Sequence, residues 1–324
     1  MTKAIRIHQA GGPDVMQWED VPTPEPGPGE VLVKQAAVGL NFVDVYFRSG
    51  LYKAPNLPFT PGMEGAGTVA AVGPGVTSFK AGDRVTYGTG AMGAYATKRV
   101  IAADRLLHLP DNIDFKTAAA MMLAGMTAQY LLRRTYPVKR GDTVVVHAAA
   151  GGVGLIMCQW AKHLGATVIG VVSTAEKAEL ARANGADHAL VGHASLAADV
   201  KRITGGAMVP VVYDSVGKDT FMASLDCLAP LGMMVCFGNA SGPVPPVDVA
   251  ILAAKGSLFL TRPTLATYAA KRADLEKTAG ELFEVVGSGA VKIHVNQTLP
   301  LAEAAAAHRA LESRQTTGST VLLP

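Results

Sequence analysis

The run Ala148-Ala149-Ala150-Gly151-Gly152-Val153-Gly154 lies between a β-branched stretch, Val144-Val145-Val146, and an apolar helical one, Leu155-Ile156-Met157-Cys158-Gln159-Trp160-Ala161. A strand that ends in a small-residue turn and opens a helix gathers backbone N–H groups and the positive end of the helix dipole at one point. That point can receive a pyrophosphate. Ala149 stands where the dinucleotide fingerprint carries its first glycine. The strand–turn–helix context therefore assigns Gly151, Gly152 and Val153 to a phosphate-binding turn, and the bare spacing does not. The following strand ends Val171-Val172-Ser173-Thr174, with no carboxylate before Glu176 and with Lys177 next. A carboxylate there would accept from the ribose 2′-hydroxyl of NAD(H), whereas Ser173, Thr174 and Lys177 suit a 2′-phosphate, which predicts NADPH.

Near the N-terminus, Asn41, Asp44 and Arg48 recur at i, i+3 and i+7, one face of a helix, and Asp44 with Arg48 has ion-pair spacing. Phe237-Gly238-Asn239 and Arg262 each follow an apolar stretch read as a strand. Ligands of open parallel sheets collect at such carboxyl ends. Cys158, Cys227 and Cys236 have no C-x-x-C spacing. They are read as buried small hydrophobes in a reducing, cytoplasmic compartment. His8, His147 and His308 have no metal-ligand partner at suitable spacing and are read as structural.

These residues need elements to position them. At roughly 150 residues per domain, 324 residues suggest two domains. Apolar residues make up 49% and charged residues 17%, which excludes disorder; a net charge of +3 without a basic run argues against nucleic acid or an anionic membrane. The partner implied is a small molecule. No stretch reads as a signal peptide or a membrane span. The first 120 or so residues read as short strands among prolines and glycines, including Val31–Val33, Thr68–Val72 and Asp83–Thr86. Strands then alternate with helices, as in βαβ units. The strands are Thr143–Val146, Thr167–Val172, His188–Val191, Val209–Tyr213, Met233–Cys236 and Ser257–Leu260, with helices near 153–164, 175–184, 195–204 and 219–228. The tail, with an amphipathic stretch Asp274–Ser288, a strand at Val291–Val295, a helix near 301–312 and Val321–Leu323, is expected to return to the first domain.

The phosphate-turn motif, with Gln159-Trp160-Ala161-Lys162, Asn41-Phe42-Val43-Asp44-Val45-Tyr46-Phe47-Arg48-Ser49-Gly50, Val212-Tyr213-Asp214-Ser215-Val216-Gly217 and Thr261-Arg262-Pro263, resembles the zinc-independent, ζ-crystallin-like NADPH:quinone oxidoreductases of the medium-chain dehydrogenase/reductase superfamily. The resemblance covers the whole chain. It implies an α/β fold: a GroES-like, mostly β catalytic domain over 1–122, a Rossmann NADP-binding domain with a doubly wound parallel sheet over 123–261, a return segment over 262–324, and a cleft between the domains. It places Asn41 near the nicotinamide with Thr127 also on the cofactor, Tyr46 and Tyr52 beside the quinone, Phe237, Gly238, Asn239 and Arg262 along the nicotinamide and phosphate channel, and Arg314 reaching the cofactor from the tail.

The zinc alcohol dehydrogenases of the superfamily hold their catalytic metal with two cysteines and a histidine, and the matching positions here are Asn41, Met63 and Ala124. None can serve. Without a Lewis acid, hydride transfer from NADPH to an electron-poor acceptor is the chemistry implied, with no general acid assigned. A quinone fits, and so does an enone or alkenal; a non-enzymatic nucleotide- or RNA-binding, crystallin-like role is the alternative from another class. The resemblance also implies a homodimer, with Ser257–Leu260 as an exposed edge strand pairing with its mate. Gly192, followed by His193, replaces a tyrosine that the family commonly packs on the adenosine half.

Overall fold

A computed structural model describes all 324 residues. The chain divides into two compact units: Met1–Met126 with Ala269–Gly287 and Ile293–Pro324, and Thr127–Tyr268 with Ser288–Lys292.

In the second unit six parallel strands stand in the order His188–Val191, Thr167–Val172, Thr143–His147, Val209–Asp214, Leu228–Cys236, Phe259–Thr261. The sheet thus grows outward in both directions from Thr143–His147, and the order reverses between that strand and Val209–Asp214. Such a switch point leaves a crevice at the carboxyl ends of the two strands. Val144, Val145 and Val146 are buried without alternation, as befits a strand covered on both faces. Helices Gly152–His163, Ala175–Ala183 and Leu196–Ile203 follow successive strands. Val145, Ile169, Val212, Phe221, Leu225 and Met234 form the core.

The first unit is built on a seven-stranded sheet. Val295–Pro300, Ser319–Leu323, Glu30–Leu40, Gly65–Val72, Arg84–Tyr87 and Leu107–His108 run in that order, and Lys98–Ala102 also pairs with Glu30–Leu40. The tail returns to this unit through Ser319–Leu323, antiparallel to Glu30–Leu40 with Thr320 opposite Leu40. Leu301, Ala304 and Leu322 pack there with Ile5, Val31 and Val85.

Several local expectations are corrected. The strand read at Val291–Val295 is Val295–Pro300, because its register is set by parallel pairing with Ser319–Leu323 and not by the β-branched pair Val291 and Ile293. The helix near 219–228 shortens to Phe221–Leu225, since Leu228 already pairs with Val209 as the start of the next strand. Ser257–Leu260 gives only the edge strand Phe259–Thr261: Ser257 is left-handed at φ 57° and Leu258 turns into the core. Helix Phe115–Tyr130 gave no 3.6-residue signal because it is apolar almost all round.

Candidate active site

In the second unit the phosphate turn starts where Ala148 takes a left-handed φ of 50° and ends at Gly151, which caps helix Gly152–His163 in extended backbone. The turn is held by Gly151 N–H donating to the Ala148 carbonyl (2.9 Å) and Ala149 N–H to Val171 (3.2 Å). The first bond of the helix runs from Leu155 N–H to Gly151, so the amides of Gly152, Val153 and Gly154 are its first-turn donors. Gly154 is required by packing: a Cβ there would lie 2.2 Å from the Ala148 carbonyl oxygen and 2.7 Å from Ala149 Cα. Ala149, in place of the first glycine, has room because Gly170 faces it, where a Cβ would lie 2.8 Å from the Ala149 methyl. The cradle and its donors fit a pyrophosphate.

Past the neighbouring strand, Ser173 and Thr174 are exposed and Lys177 is half-buried in the first turn of helix Ala175–Ala183. Thr174 is the helix cap, its hydroxyl oxygen accepting from Lys177 N–H at 3.3 Å. A hydrogen bond from Thr174 also helps hold the Glu176 carboxyl below its usual range, after that residue's own backbone amide. Gly192 lies at φ 79° after strand His188–Val191, a left-handed turn in which a tyrosine would be strained.

At the switch point the Asp214 carboxylate is fully buried. Its Oδ1 accepts from Val216 and Gly217 N–H (2.8 and 3.0 Å), and its Oδ2 from the hydroxyls of Thr220 and Ser224 (2.7 and 2.8 Å). Ser224 also meets His147 Nε2 at 2.9 Å, and burial lowers the His147 pKa. This network fixes the loop Ser215–Gly217. On the next loop Phe237 N–H donates to the Asp214 carbonyl at 2.8 Å, and Gly238 packs so closely on Ser215 that a Cβ would meet its oxygen at 2.3 Å. Arg262 Nη1 donates to the Cys236 carbonyl at 3.1 Å. With the Asn239 amide nitrogen donating to Gly238, its oxygen accepts from Arg262 Nη2 at 3.3 Å. Thr127 is buried on helix Phe115–Tyr130.

The first unit holds Asn41, Tyr46, Tyr52 and Arg314. Asn41 caps helix Phe42–Ser49 in a capping box: its N–H donates to Asp44 Oδ2 at 3.0 Å, its side chain faces the Asp44 N–H in return, and Gly50 ends the helix at φ 84°. The Asn41 side chain donates through Nδ2 to Glu64 Oε1 at 2.6 Å, and Glu64 Oε2 accepts from Leu123 N–H at 2.6 Å. Glu64 was legible only as part of Pro61-Gly62-Met63-Glu64-Gly65. Burial pushes its carboxyl up to about 8, against the hydrogen bonds from Asn41 and Leu123. Tyr46 is buried and meets Tyr52 edge-on at 5.2 Å between ring centroids.

Asp44 and Arg48, despite their spacing, do not form the ion pair. Arg48 turns to Glu312, making a two-pronged bond at 2.9 and 2.7 Å, and donates to Gly11 at 3.1 Å. Asp44 Oδ2 instead accepts from Tyr95 OH at 3.1 Å, Tyr95 OH meets His308 Nε2 at 3.1 Å, and His308 Nδ1 meets Arg48 Nη1 at 3.2 Å. Burial pushes Asp44 up to about 7 and His308 down to about 3. Nothing in the sequence pointed to Tyr95 or Glu312. Arg314 is exposed past helix Ala304–Glu312, left-handed at φ 59°.

Asn41, Met63 and Ala124 bring an amide, a thioether and a methyl, and no group of three His, Cys, Asp or Glu side chains could hold an ion. That donor set does not fit zinc. All three cysteines are free and buried, and burial raises each thiol to about 12. No helix is long and apolar enough to cross a membrane.

Comparison with known proteins gives two family matches, the zinc-binding dehydrogenases over residues 152–282 and the alcohol dehydrogenase GroES-like domain over residues 27–111. A quinone oxidoreductase of Pseudomonas aeruginosa is 56% identical over 325 residues, covering all of both chains. A 2-haloacrylate reductase of a Burkholderia species is 48% identical, covering all of this chain and 99% of the relative. The crystal structure of Escherichia coli quinone oxidoreductase complexed with NADPH superposes with a TM-score of 0.98 at 49% identity, covering all of both chains.

Proposed function

The chain belongs to the quinone oxidoreductase family of the medium-chain dehydrogenase/reductase superfamily, and from that premise we propose that it is an NADPH-dependent quinone reductase working without zinc. One observation carries the nucleotide choice: the glycine-rich turn stands at the switch point of a doubly wound sheet, and the next strand ends at Val172, followed by Ser173 and no carboxylate. The chemistry that bound NADPH supplies is a hydride, which reduces a quinone ring with a proton taken up from solvent.

The protein's part is to bind and orient. The amides of Gly152 and Val153, with Gly151 kept small, hold the pyrophosphate; Ser173 and Lys177 hold the 2′-phosphate. Thr174, its hydroxyl occupied as a helix cap, acts by ordering Lys177. Phe237, Gly238, Asn239 and Arg262 serve the nucleotide from loops fixed by Asp214, and Asn41, Thr127 and Arg314 are further contacts. Tyr46 and Tyr52 offer the acceptor an aromatic wall. The absence of zinc is argued from the donors at Asn41, Met63 and Ala124.

Two copies are proposed to pair through the edge strand Phe259–Thr261, where Phe259 is 58% and Leu260 40% exposed. The free core thiols suit a reducing cytoplasm. The full-length similarity to a 2-haloacrylate reductase favours a second reading, reduction of a carbon–carbon bond conjugated to a carbonyl.

The test is a steady-state screen of quinones, enones and haloacrylates with NADPH and NADH, before and after chelation, with elemental analysis. Chelator-insensitive turnover of quinones with NADPH is the expected result. Turnover of acrylates alone would select the second reading. Tight nucleotide or RNA binding with no turnover, or about one zinc per chain, would overturn the proposal. Sedimentation as a monomer at micromolar concentration would remove the dimer.

A further inference from the structure

Glu64 is a buried carboxyl whose two partners, the Asn41 side-chain amide and the Leu123 backbone amide, carry no charge. We propose that Glu64 is a positioning residue whose protonation state sets which end of the Asn41 amide is turned away from it, toward the ligand. This inference rests on the reading that Asn41 faces the nicotinamide or its acceptor.

Leu123 N–H can only donate, so Glu64 Oε2 accepts in either state. Ionised, Oε1 can also only accept; Asn41 must then give it Nδ2, as observed, and turns Oδ1 to its other side, where the oxygen faces the Asp44 N–H of the capping box and keeps a second lone pair for a ligand donor. Protonated, Oε1 becomes a donor. Asn41 then gives it Oδ1 and presents Nδ2 as a donor. The main chain need not move, because the Asn41 backbone is held separately by Asp44. The amide makes a half-turn about its last side-chain bond and takes Oδ1 away from the Asp44 N–H, which keeps its bond to the Asn41 carbonyl at 3.0 Å.

Burial places this proton at about 8, within the working range of an enzyme. The charged and titratable groups facing it are known. Asp44, on helix Phe42–Ser49, raises it further. Tyr87 lies on strand Arg84–Tyr87, its hydroxyl bonded by Gln35 and its ring beneath Arg99 at 4.6 Å. Tyr95 spends its hydroxyl on Asp44. Helix Phe115–Tyr130 brings the Leu123 amide.

Two reporters on one residue separate Glu64 from Asp44. In ¹⁵N-labelled protein without nucleotide, the Asn41 side-chain NH₂ reports Glu64 and its backbone N–H reports Asp44. The expected result is a side-chain resonance that titrates on the alkaline side of neutrality in the wild type and no longer does so in Glu64→Gln, while the backbone resonance keeps titrating. Glutamine accepts from Leu123 with its oxygen and donates to Asn41 with its nitrogen, mimicking the protonated acid.

With NADPH and a quinone, wild-type kcat/KM should change by about 2- to 12-fold across the same inflection, the worth of one hydrogen bond. Glu64→Gln should be flat there and lie on the wild-type acid limb. A wild-type side chain that does not titrate, which needs no variant to observe, or an inflection that survives in Glu64→Gln, would overturn the inference. Absence of quinone turnover by the wild type would refute the proposed function and leave the resonance test to decide Glu64.

Discussion

Gly151 and Gly154 belong to one motif, but the structure requires them for different reasons, so alanine at each should fail differently. At position 154 the new Cβ would lie 2.2, 2.7 and 2.9 Å from backbone atoms of Ala148 and Ala149. The shortest contact is roughly 1 Å inside ordinary packing, and backbone of a tight turn has little freedom to yield. Overpacking of this kind costs about 1–3 kcal/mol, and the upper end applies; alanine's better helix propensity returns about 1. A net loss of about 2 kcal/mol should lower the melting temperature by about 4–8 °C, at roughly 2–4 °C per kcal/mol.

At position 151 the backbone is extended at φ −84°, and the nearest atom to a new Cβ is the Ala148 oxygen at 3.3 Å. Alanine reduces the freedom of the unfolded chain and is a poorer helix cap, effects of about 0.5–1 kcal/mol that oppose one another. Gly151→Ala should therefore melt within about 2 °C of wild type. Its methyl would stand where the pyrophosphate meets the turn, so NADPH binding, followed by dihydronicotinamide fluorescence, should weaken at least about tenfold. Gly154→Ala should lose both stability and affinity. Equal destabilisation by the two alanines would refute the packing argument, and full NADPH affinity in Gly151→Ala would refute the phosphate turn.

Lys177→Ala should weaken NADPH by about 3- to 12-fold and leave NADH nearly unchanged; a charge-assisted bond is worth more, but a half-exposed ammonium is screened. Titration of both nucleotides decides it, and equal weakening would remove Lys177 from the 2′-phosphate site. Tyr52→Ala should raise the quinone KM with little change in melting temperature, while Tyr46→Ala should also cost about 3 kcal/mol of stability, since Tyr46 is buried. Urea unfolding at a series of pH values separates the two variants from a collapsed fold. Asp44 and Glu64 both hold their protons more tightly folded than unfolded, rising from 3.8 to about 7 and from 4.5 to about 8. Their contribution to stability is therefore complete below about pH 4 and declines as pH rises toward 7–8, with a slope of at most about 1.4 kcal/mol per pH unit for each. Glu64→Gln should flatten the decline, and an unchanged slope would show that its carboxyl is ionised throughout.

The parallel sheet was legible because its strands are local, continuous apolar runs, and the strand–turn–helix around Gly151 because one unbroken segment supplies all three parts. Thr167–Val172 and His188–Val191 were read to the residue for the same reason. Helix Phe115–Tyr130 escaped because complete burial erases the contrast that periodicity needs. The strand Val295–Pro300 escaped because its register is chosen by its partner, Ser319–Leu323. Asp44 and Arg48 show the limit most directly. Their i,i+4 spacing is a true sequence fact, yet the guanidinium binds Glu312, 264 positions away, and the carboxylate binds Tyr95. Spacing along a helix fixes which side chains share a face, whereas the partner of a buried charge is set by whichever distant segment the fold packs against that face. By itself the sequence determined the chemistry of the Asn41, Met63 and Ala124 positions, because a missing thiolate or imidazole is missing in any fold. Only the tertiary structure decided that Glu64 lies between Asn41 and Leu123, because the two partners stand 23 and 59 positions away and meet its carboxyl only when the chain packs.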